Sequence, residues 1–342
     1  MRELTAENVI DYLREQGWIG PEPARAEALS WGVSNAVLRV ETPTRKLVVK
    51  QSRPQLRTHD AWFSDLNRVF REQEVMQALQ PLLPAETVPA VLHADRENYV
   101  FAMAHAPEPH EVWKAALLAG RIDQAIAART GAVLGRMHEA TARDTRLVEP
   151  FRDHTVFVQL RVEPFYQRIQ ERLPDVARLI DPLIEQLLTI KEALCHGDYS
   201  PKNILVHAGG FTLVDYETAH FGDPTMDLGF FLSHLLLKTI KRYRQRRDFF
   251  ELTRTFWDRY AQQIRFRPVT ELMHRSFGHL GVCLLARIDG TSPVDYLPEE
   301  PKRAAVRRLG RSLLRDRPRT WEEVLARLED VCHELEKEEG CD

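Results

Sequence analysis

The segment His196-Gly197-Asp198-Tyr199-Ser200-Pro201-Lys202-Asn203 sets a carboxylate and an amide at the interval D-x-x-x-x-N. A general base and one metal ligand can reach a single cavity at that interval. Moving a nucleotide phosphate onto a hydroxyl also needs a metal ion on the phosphates and a cation on the phosphate tail. The chain offers both. Leu213-Val214-Asp215-Tyr216-Glu217 places Asp215 where an apolar strand ends, a position suited to a Mg²⁺ ligand, and Glu217 is a second carboxylate on the same side if the chain stays extended. Lys50 ends the apolar run Lys46-Leu47-Val48-Val49-Lys50, where a single lysine on a strand could reach a phosphate tail. Its acidic partner is expected to be Glu72, which shares a helix face with Val75, Met76 and Leu79; Glu74 lies off that face and is the alternative.

Each residue taken singly has a plainer reading: Lys50 and Glu72 as surface charges, Asn203 and Asp215 as turn residues, Asp198 as a loop cap. The ordered set Asp198, Asn203 and Asp215 favours the chemical reading, because spacing and strand context together meet one mechanism. Trp31-Gly32-Val33-Ser34-Asn35 could bring Gly32, Ser34 and Asn35 to phosphates through backbone N–H groups. Neither G-x-G-x-x-G nor G-x-x-x-x-G-K-[ST] occurs, which argues against a P-loop enzyme. His196 reads as a buried brace of its loop and His138 as helix packing.

The elements that would position these residues change character along the chain. Up to residue 103 the pattern is β-rich: Trp31 to Val40, Leu47 to Gln51, Val88 to Ala94 and Asn98 to Met103 read as strands, interrupted by a helix over Asp60 to Leu79. The proline-containing stretch 104–110 reads as a connector, giving an N-terminal lobe over 1–103 and a C-terminal lobe over 111–342. Helical periodicity then dominates, over Asp123 to Thr141, Pro164 to Ala193, Met226 to Ile240, Asp248 to Ile264, Glu271 to Arg287 and Thr320 to Lys337. Two strands, Asn203 to Val206 and Phe211 to Val214, with the turn His207-Ala208-Gly209-Gly210, form a hairpin inside the series.

With 342 residues, 44% hydrophobic and 28% charged, the chain can bury a sizeable core in two lobes. A net charge of -3 gives no sign of a nucleic-acid binder. No run approaches the roughly 18 apolar residues of a membrane span, and the N-terminus lacks a signal-peptide pattern, so the expectation is a cytoplasmic protein with no membrane partner. Cys195, Cys283, Cys332 and Cys341 show no C-x-x-C spacing and read as reduced thiols. Oligomeric state is not legible.

Together these residues resemble the aminoglycoside phosphotransferase and choline kinase family. Its signature H-G-D-x-x-x-x-N-[IV]-[LI]-[VL] is matched by His196 to Val206, followed by Asp215 and by Gly222-Asp223-Pro224-Thr225-Met226-Asp227-Leu228. The N-terminal part is similar to the 5-methylthioribose kinase family in Gly32-Val33-Ser34-Asn35, Val49-Lys50-Gln51-Ser52, Leu56-Arg57 and the D-x-E form of Asp215-Tyr216-Glu217. It departs from that family in keeping Asn203. The resemblance implies an α+β, bilobal protein-kinase-like fold with a small antiparallel sheet in the N-lobe and a mainly helical C-lobe. It implies ATP or GTP with Mg²⁺, adenine against the backbone of Met103, Ala104 and Ala106, and Asp227 bracing the catalytic loop. It also implies acceptor-lining residues near the C-terminus, for which Arg287 and Asp289 are candidates; a helix-terminal salt bridge is the plainer reading of both.

The activity expected is transfer of a nucleotide γ-phosphate to the hydroxyl of a sugar-like or amino-alcohol metabolite. An aminoglycoside O-phosphotransferase and a catalytically silent nucleotide-binding protein are the alternatives. From Lys238 to Arg319 the chain carries 20 Lys and Arg against 9 Asp and Glu, including Arg242, Arg244, Arg246, Arg247, Arg303, Arg307, Arg308 and Arg311. A neutral or anionic acceptor follows if those arginines line its pocket, and nothing follows if they lie on solvated helix faces.

Overall fold

A computed structural model of the chain describes residues 1–29, 35–53 and 64–339. It divides into two compact units, Met1–His110 with His207–Thr218, and Glu111–Val206 with Ala219–Asp342. The second stretch of the first unit differs from the expected organisation, which left everything after residue 110 in the C-terminal lobe. Hydrogen bonds account for it: Thr212 Oγ1 donates to the Glu86 carbonyl at 2.8 Å, Leu213 N–H to the Thr87 carbonyl at 2.8 Å, and Tyr216 N–H to Glu72 Oε1 at 3.3 Å.

In the first unit, strands β1 (Arg25–Ala28), β2 (Asn35–Glu41), β3 (Lys46–Ser52), β4 (Val91–Asp95) and β5 (Val100–Ala104) form an antiparallel sheet in the order β1-β2-β3-β5-β4. Helix α1 (Val9–Glu15), which periodicity did not single out, packs Val9, Tyr12 and Leu13 against Leu38, Val40, Leu47, Val49, Val100 and Ala102. Side chains alternate along a strand, so Leu47 and Val49 face α1 while Lys50 takes the opposite face. Lys50 stands in register with Val37 on one side and Phe101 on the other. Helix α2 (Arg68–Leu79) packs on β3 and β5. Its buried face carries Arg68, Glu72, Val75, Met76 and Leu79, so the spacing that predicted an inward Glu72 is the spacing seen. The expected start of this helix, Asp60 to Phe63, and the loop residues Gly32 and Ser34 lie outside the described residues, as do Leu56 and Arg57.

The second unit is mainly helical, with α3 (Trp113–Leu118), α4 (Gln124–Ala142), α5 (Ala177–Thr189), α6 (Pro224–Lys241), α7 (Arg246–Ala261), α8 (Val269–Asp289), α9 (Glu300–Arg315) and α10 (Trp321–Glu339). Asp123 caps α4 by accepting the Ala125 and Ile126 N–H groups, and Asp223 caps α6 by accepting the Thr225 N–H at 2.9 Å ahead of Pro224 at the first helical position. Helices α4 and α7 cross where Gly131 lies so close to the Phe256 carbonyl that any Cβ would collide with it. The helix expected over Pro164 to Ala193 is broken. A π-helix over Val158–Gln167 contains Pro164, Arg168–Arg172 follows, and the chain restarts at α5 after Pro174. Proline lacks the N–H that an α-helical ladder requires, and its ring obstructs the preceding turn. Helix α9 was not foreseen, although Ala305, Val306, Leu309 and Leu313 form its buried stripe. No described helix is long and apolar enough to cross a membrane.

Candidate active site

The chemistry-bearing residues fall into one cluster in each unit. In the first, Lys50 Nζ lies 2.8 Å from both Glu72 oxygens and 3.1 Å from Asp215 Oδ1. Glu74, the alternative partner, instead meets Arg96 at the surface. Burial pushes the Lys50 ammonium down, but Glu72, Asp215 and Glu217 together hold it above its ordinary value, so it stays charged. Burial pushes Glu72 up, opposed by Lys50 and reinforced by Asp215. Asp215 has φ +74°, a left-handed conformation uncommon for a residue with a side chain. The turn separates the two carboxylates that an extended chain would have aligned. Asp215 goes to Lys50, whereas Glu217 Oε2 accepts from Asn35 Nδ2 at 2.9 Å and pairs with Arg68 Nε at 3.2 Å.

Arg68 was not picked out from the sequence. Its signal was there: it precedes Glu72 by one helical turn on an otherwise apolar face, where a cation needs a carboxylate. Of the backbone groups expected against adenine, Ala104 N–H donates to the Ala90 carbonyl at 2.8 Å and the Ala106 carbonyl contacts His105 Nδ1 at 2.7 Å. Met103 is buried in β5.

In the second unit, strand Ala193–Cys195 pairs with His220–Gly222 and runs into the loop that carries Asp198. Gly197 has φ +74°, open to glycine at little cost. Asp227, in the first turn of α6, accepts the His196 N–H at 2.7 Å and the Gly197 N–H at 2.8 Å. Burial pushes its carboxyl up, but hydrogen bonding and charge from His138, with help from His196, bring it below the usual carboxylate range. His138, expected only to pack, contacts Asp227 Oδ2 at 3.2 Å and the Tyr260 hydroxyl at 3.1 Å. His196 is fully buried and its Nδ1 accepts the Asp198 N–H at 3.2 Å.

Asp198 is buried, and its carboxylate meets Arg161 Nη2 at 2.8 Å, Lys202 Nζ at 2.9 Å and Asn203 Nδ2 at 2.9 Å. The Asn203 amide also donates to the Asp198 carbonyl at 2.9 Å. With both donors turned to Asp198, its Oδ1, the atom that would ligate a metal, points away from that carboxylate. Asn203 closes a 3₁₀ turn over Pro201–Asn203 and the strand begins at Ile204, one residue later than expected. Arg161, on the π-helix, also donates from Nε to the Gly197 carbonyl at 2.7 Å. No local pattern marked it, because its partner lies 36 residues on. His138, Cys195 and Asp227 bring ligand atoms within 4.8 Å of one another, but the Asp227 oxygens are already taken by the His196 and Gly197 N–H groups and by His138.

The basic segment proves to be mostly paired. Arg246 bridges Glu329 and Glu336, Arg307 bridges Asp289 and Glu300, Arg308 meets Glu334, and Arg311 and Arg315 share Asp175. These arginines carry no argument about an acceptor. Asp289 is thereby engaged by Arg307, whereas Arg287 Nη1 donates to the Ser292 carbonyl at 2.6 Å.

The sequence model of the phosphotransferase enzyme family matches residues 25–262. The chain belongs to this family. It is 25% identical to a methylthioribose kinase from Exiguobacterium sibiricum over 98% of this chain and 99% of that one. Among solved structures, an amicoumacin kinase superposes with a TM-score of 0.54 at 14% identity, covering 92% of this chain and 98% of that one. A choline kinase from Cryptosporidium parvum gives 0.53 at 13% identity, covering 97% and 96%. The fold is therefore the protein-kinase-like one, and the chain is an ATP-dependent kinase acting on a small molecule.

Proposed function

We propose that the chain transfers the γ-phosphate of ATP to a hydroxyl of a small sugar-like alcohol. Asp198 orients that hydroxyl and accepts its proton, while Lys50 holds the α- and β-phosphates. On the family's motifs, Asp215 and Asn203 are the residues that would hold Mg²⁺, with Asp227 and His196 bracing the catalytic loop. The donor set suits a hard cation, since it offers a carboxylate and an amide oxygen. Glu217, paired with Arg68, has less charge to give a metal and serves to fix Asn35. When bound, Mg²⁺ neutralises charge developing on the phosphates. The methylthioribose kinase relative supports the acceptor class, methylthioribose being a sugar derivative, and the amicoumacin kinase, solved with AMP-PNP and Ca²⁺, supports the nucleotide donor and a divalent cation.

One observation carries the reading: the buried Asp198 carboxylate, at the head of a loop whose backbone is held by Asp227. Asp198→Asn should lower turnover by about a thousandfold, within the usual reach of a lost general base. Nucleotide binding by calorimetry should change little. Undiminished turnover would remove Asp198 from this role. Acceptors are found by following ATP consumption with methylthioribose, pentoses, choline, homoserine and aminoglycosides.

A further inference from the structure

The transfer chemistry leaves unused a group of buried cations in the second unit. On α6, Phe230, His234 and Lys238 recur every fourth residue and form one stripe. Lys238 is 1% exposed and His234 6%. A lysine so deeply buried ordinarily faces a carboxylate. Among the described residues Lys238 has none. Its Nζ donates to the His234 carbonyl at 3.2 Å and stands 5.3 Å from the centre of the Tyr296 ring. Lys114 of α3 approaches the same ring at 5.5 Å, and its carboxylate neighbour, Asp295 at 3.7 Å, is largely in solvent.

Three polar atoms around this stripe are buried without a hydrogen-bond partner: His234 Nε2, Arg287 Nε and the Tyr296 hydroxyl. Burial first, then the neighbouring basic groups Lys238, Arg287, Lys202 and Lys114, push His234 well below its ordinary value, and burial with Lys114 and Arg287 does the same to Lys238. Such a set of unmet donors and like charges costs stability unless something negative joins it.

The stripe also leads to the reacting centre. Arg161, which bonds Asp198, stacks its guanidinium 5.3 Å from the Phe230 ring, and Phe230 meets the His234 ring edge-on at 5.0 Å. Arg287 feels the charges of Asp198 and Arg161, so the group lies within electrostatic reach of the reacting centre.

We propose that Lys238, His234, Arg287 and Tyr296 seat an anionic group of the acceptor, so that the substrate is a small alcohol bearing a phosphate or carboxylate. This rests on the kinase reading of Asp198 and names the substrate class for it. It narrows the neutral or anionic acceptor expected from the sequence to an anionic one, and rests on these buried groups rather than on the mostly paired arginine-rich segment.

The test compares matched acceptors, ribose with ribose 5-phosphate and glycerol with glycerate, together with methylthioribose, in the full chain with ATP and Mg²⁺. The charged member of a pair should be turned over at least about tenfold more efficiently, and Lys238→Met should raise its KM about thirtyfold with kcat nearly unchanged. The KM of the neutral member should not move. Lys238→Arg should restore most of the loss, and Arg308→Ala, which breaks a remote ion pair, should have no effect. Calorimetry with ribose 5-phosphate and with inorganic phosphate provides a readout independent of turnover. Saturable binding of ribose 5-phosphate, tighter than that of phosphate and weakened in Lys238→Met, supports the proposal. Preference for the neutral acceptor, binding equal in wild type and Lys238→Met, no binding at millimolar concentration, or inorganic phosphate binding as tightly as the sugar phosphate each overturns it. Failure of the kinase reading looks different: no ATP is consumed with any acceptor, while calorimetry still decides whether the cluster takes the anion.

Discussion

In the first unit a single ammonium, Lys50, is met by Glu72 and Asp215, with Glu217 close enough to act on it. In the second a single carboxylate, Asp198, is met by Arg161 and Lys202. Both centres are buried, and both satisfy the rule that an interior charge needs an opposite one. They err in opposite directions. Around Lys50 three carboxylates face two cations, Lys50 and Arg68, and the surplus is negative, as a site for a divalent metal requires. Around Asp198 the surplus is positive, and nearby Arg287 extends it, while burial and the neighbouring charges of Lys114 and Arg287 push the Lys238 amine well below its ordinary value, as expected of a base that lacks an anion. Each surplus names the charge of the ligand its own unit lacks.

The largest effect expected from disturbing this contrast is at Lys50. Lys50→Met leaves the buried Glu72 and the partly exposed Asp215 with no ammonium between them, and losing the lysine of the buried Lys50–Glu72 pair costs about 3–5 kcal/mol. Urea unfolding followed by circular dichroism measures it. A loss under about 1 kcal/mol, the range of exposed pairs, would mean that water enters the Lys50 cluster and that its burial has been misjudged. Glu72→Gln in the same background should recover part of the loss, because it removes one of the stranded charges.

Legibility from the sequence followed the same division. The Lys50–Glu72 pair could be read because both partners sit on regular elements, where strand alternation and helix periodicity fix direction. Five of the C-terminal helices were likewise placed within a few residues. The surroundings of Asp198 were less open. Asp198 and Asn203 are local in sequence, but Arg161 comes from a π-helix that Pro164 interrupts, and no periodicity points such a side chain. His138 looked like packing because its partners, Asp227 and Tyr260, are 89 and 122 residues away. The arginine-rich segment misled for a related reason: composition counts charges and is blind to the Asp175, Glu329, Glu334 and Glu336 that neutralise them.

Asp227 comes next in size. It accepts two backbone N–H groups and contacts His138, so Asp227→Asn, which keeps the shape and loses the charge, should cost about 2 kcal/mol. The sign with pH follows from its lowered value. A carboxylate held below its ordinary value contributes stability above the unfolded-state value, near pH 4, and loses it as pH falls through the lower folded value. Thermal unfolding between pH 7 and pH 2 should show wild type and Asp227→Asn converging at the acid end. Parallel curves throughout would show that the charge of Asp227 is not what holds the loop.

The smallest effect belongs to Lys202, and it sharpens the contrast most. Its ammonium lies 2.9 Å from Asp198, as close as Lys50 lies to Glu72, yet its side chain is 48% exposed against 5% for Lys50. Equal distances with unequal burial should give unequal energies, since water screens the exposed pair. Lys202→Met should therefore cost under about 1 kcal/mol in urea unfolding, and that small cost should shrink further in 1 M salt, where the Debye length falls to about 3 Å. The Lys50→Met loss should be nearly indifferent to the same salt. If Lys202→Met proved as costly as Lys50→Met, or as insensitive to salt, the Asp198 cluster would be as dry as the Lys50 cluster. Lys202 would then be a fixed counter-ion, with no freedom to turn from Asp198 when an acceptor hydroxyl arrives.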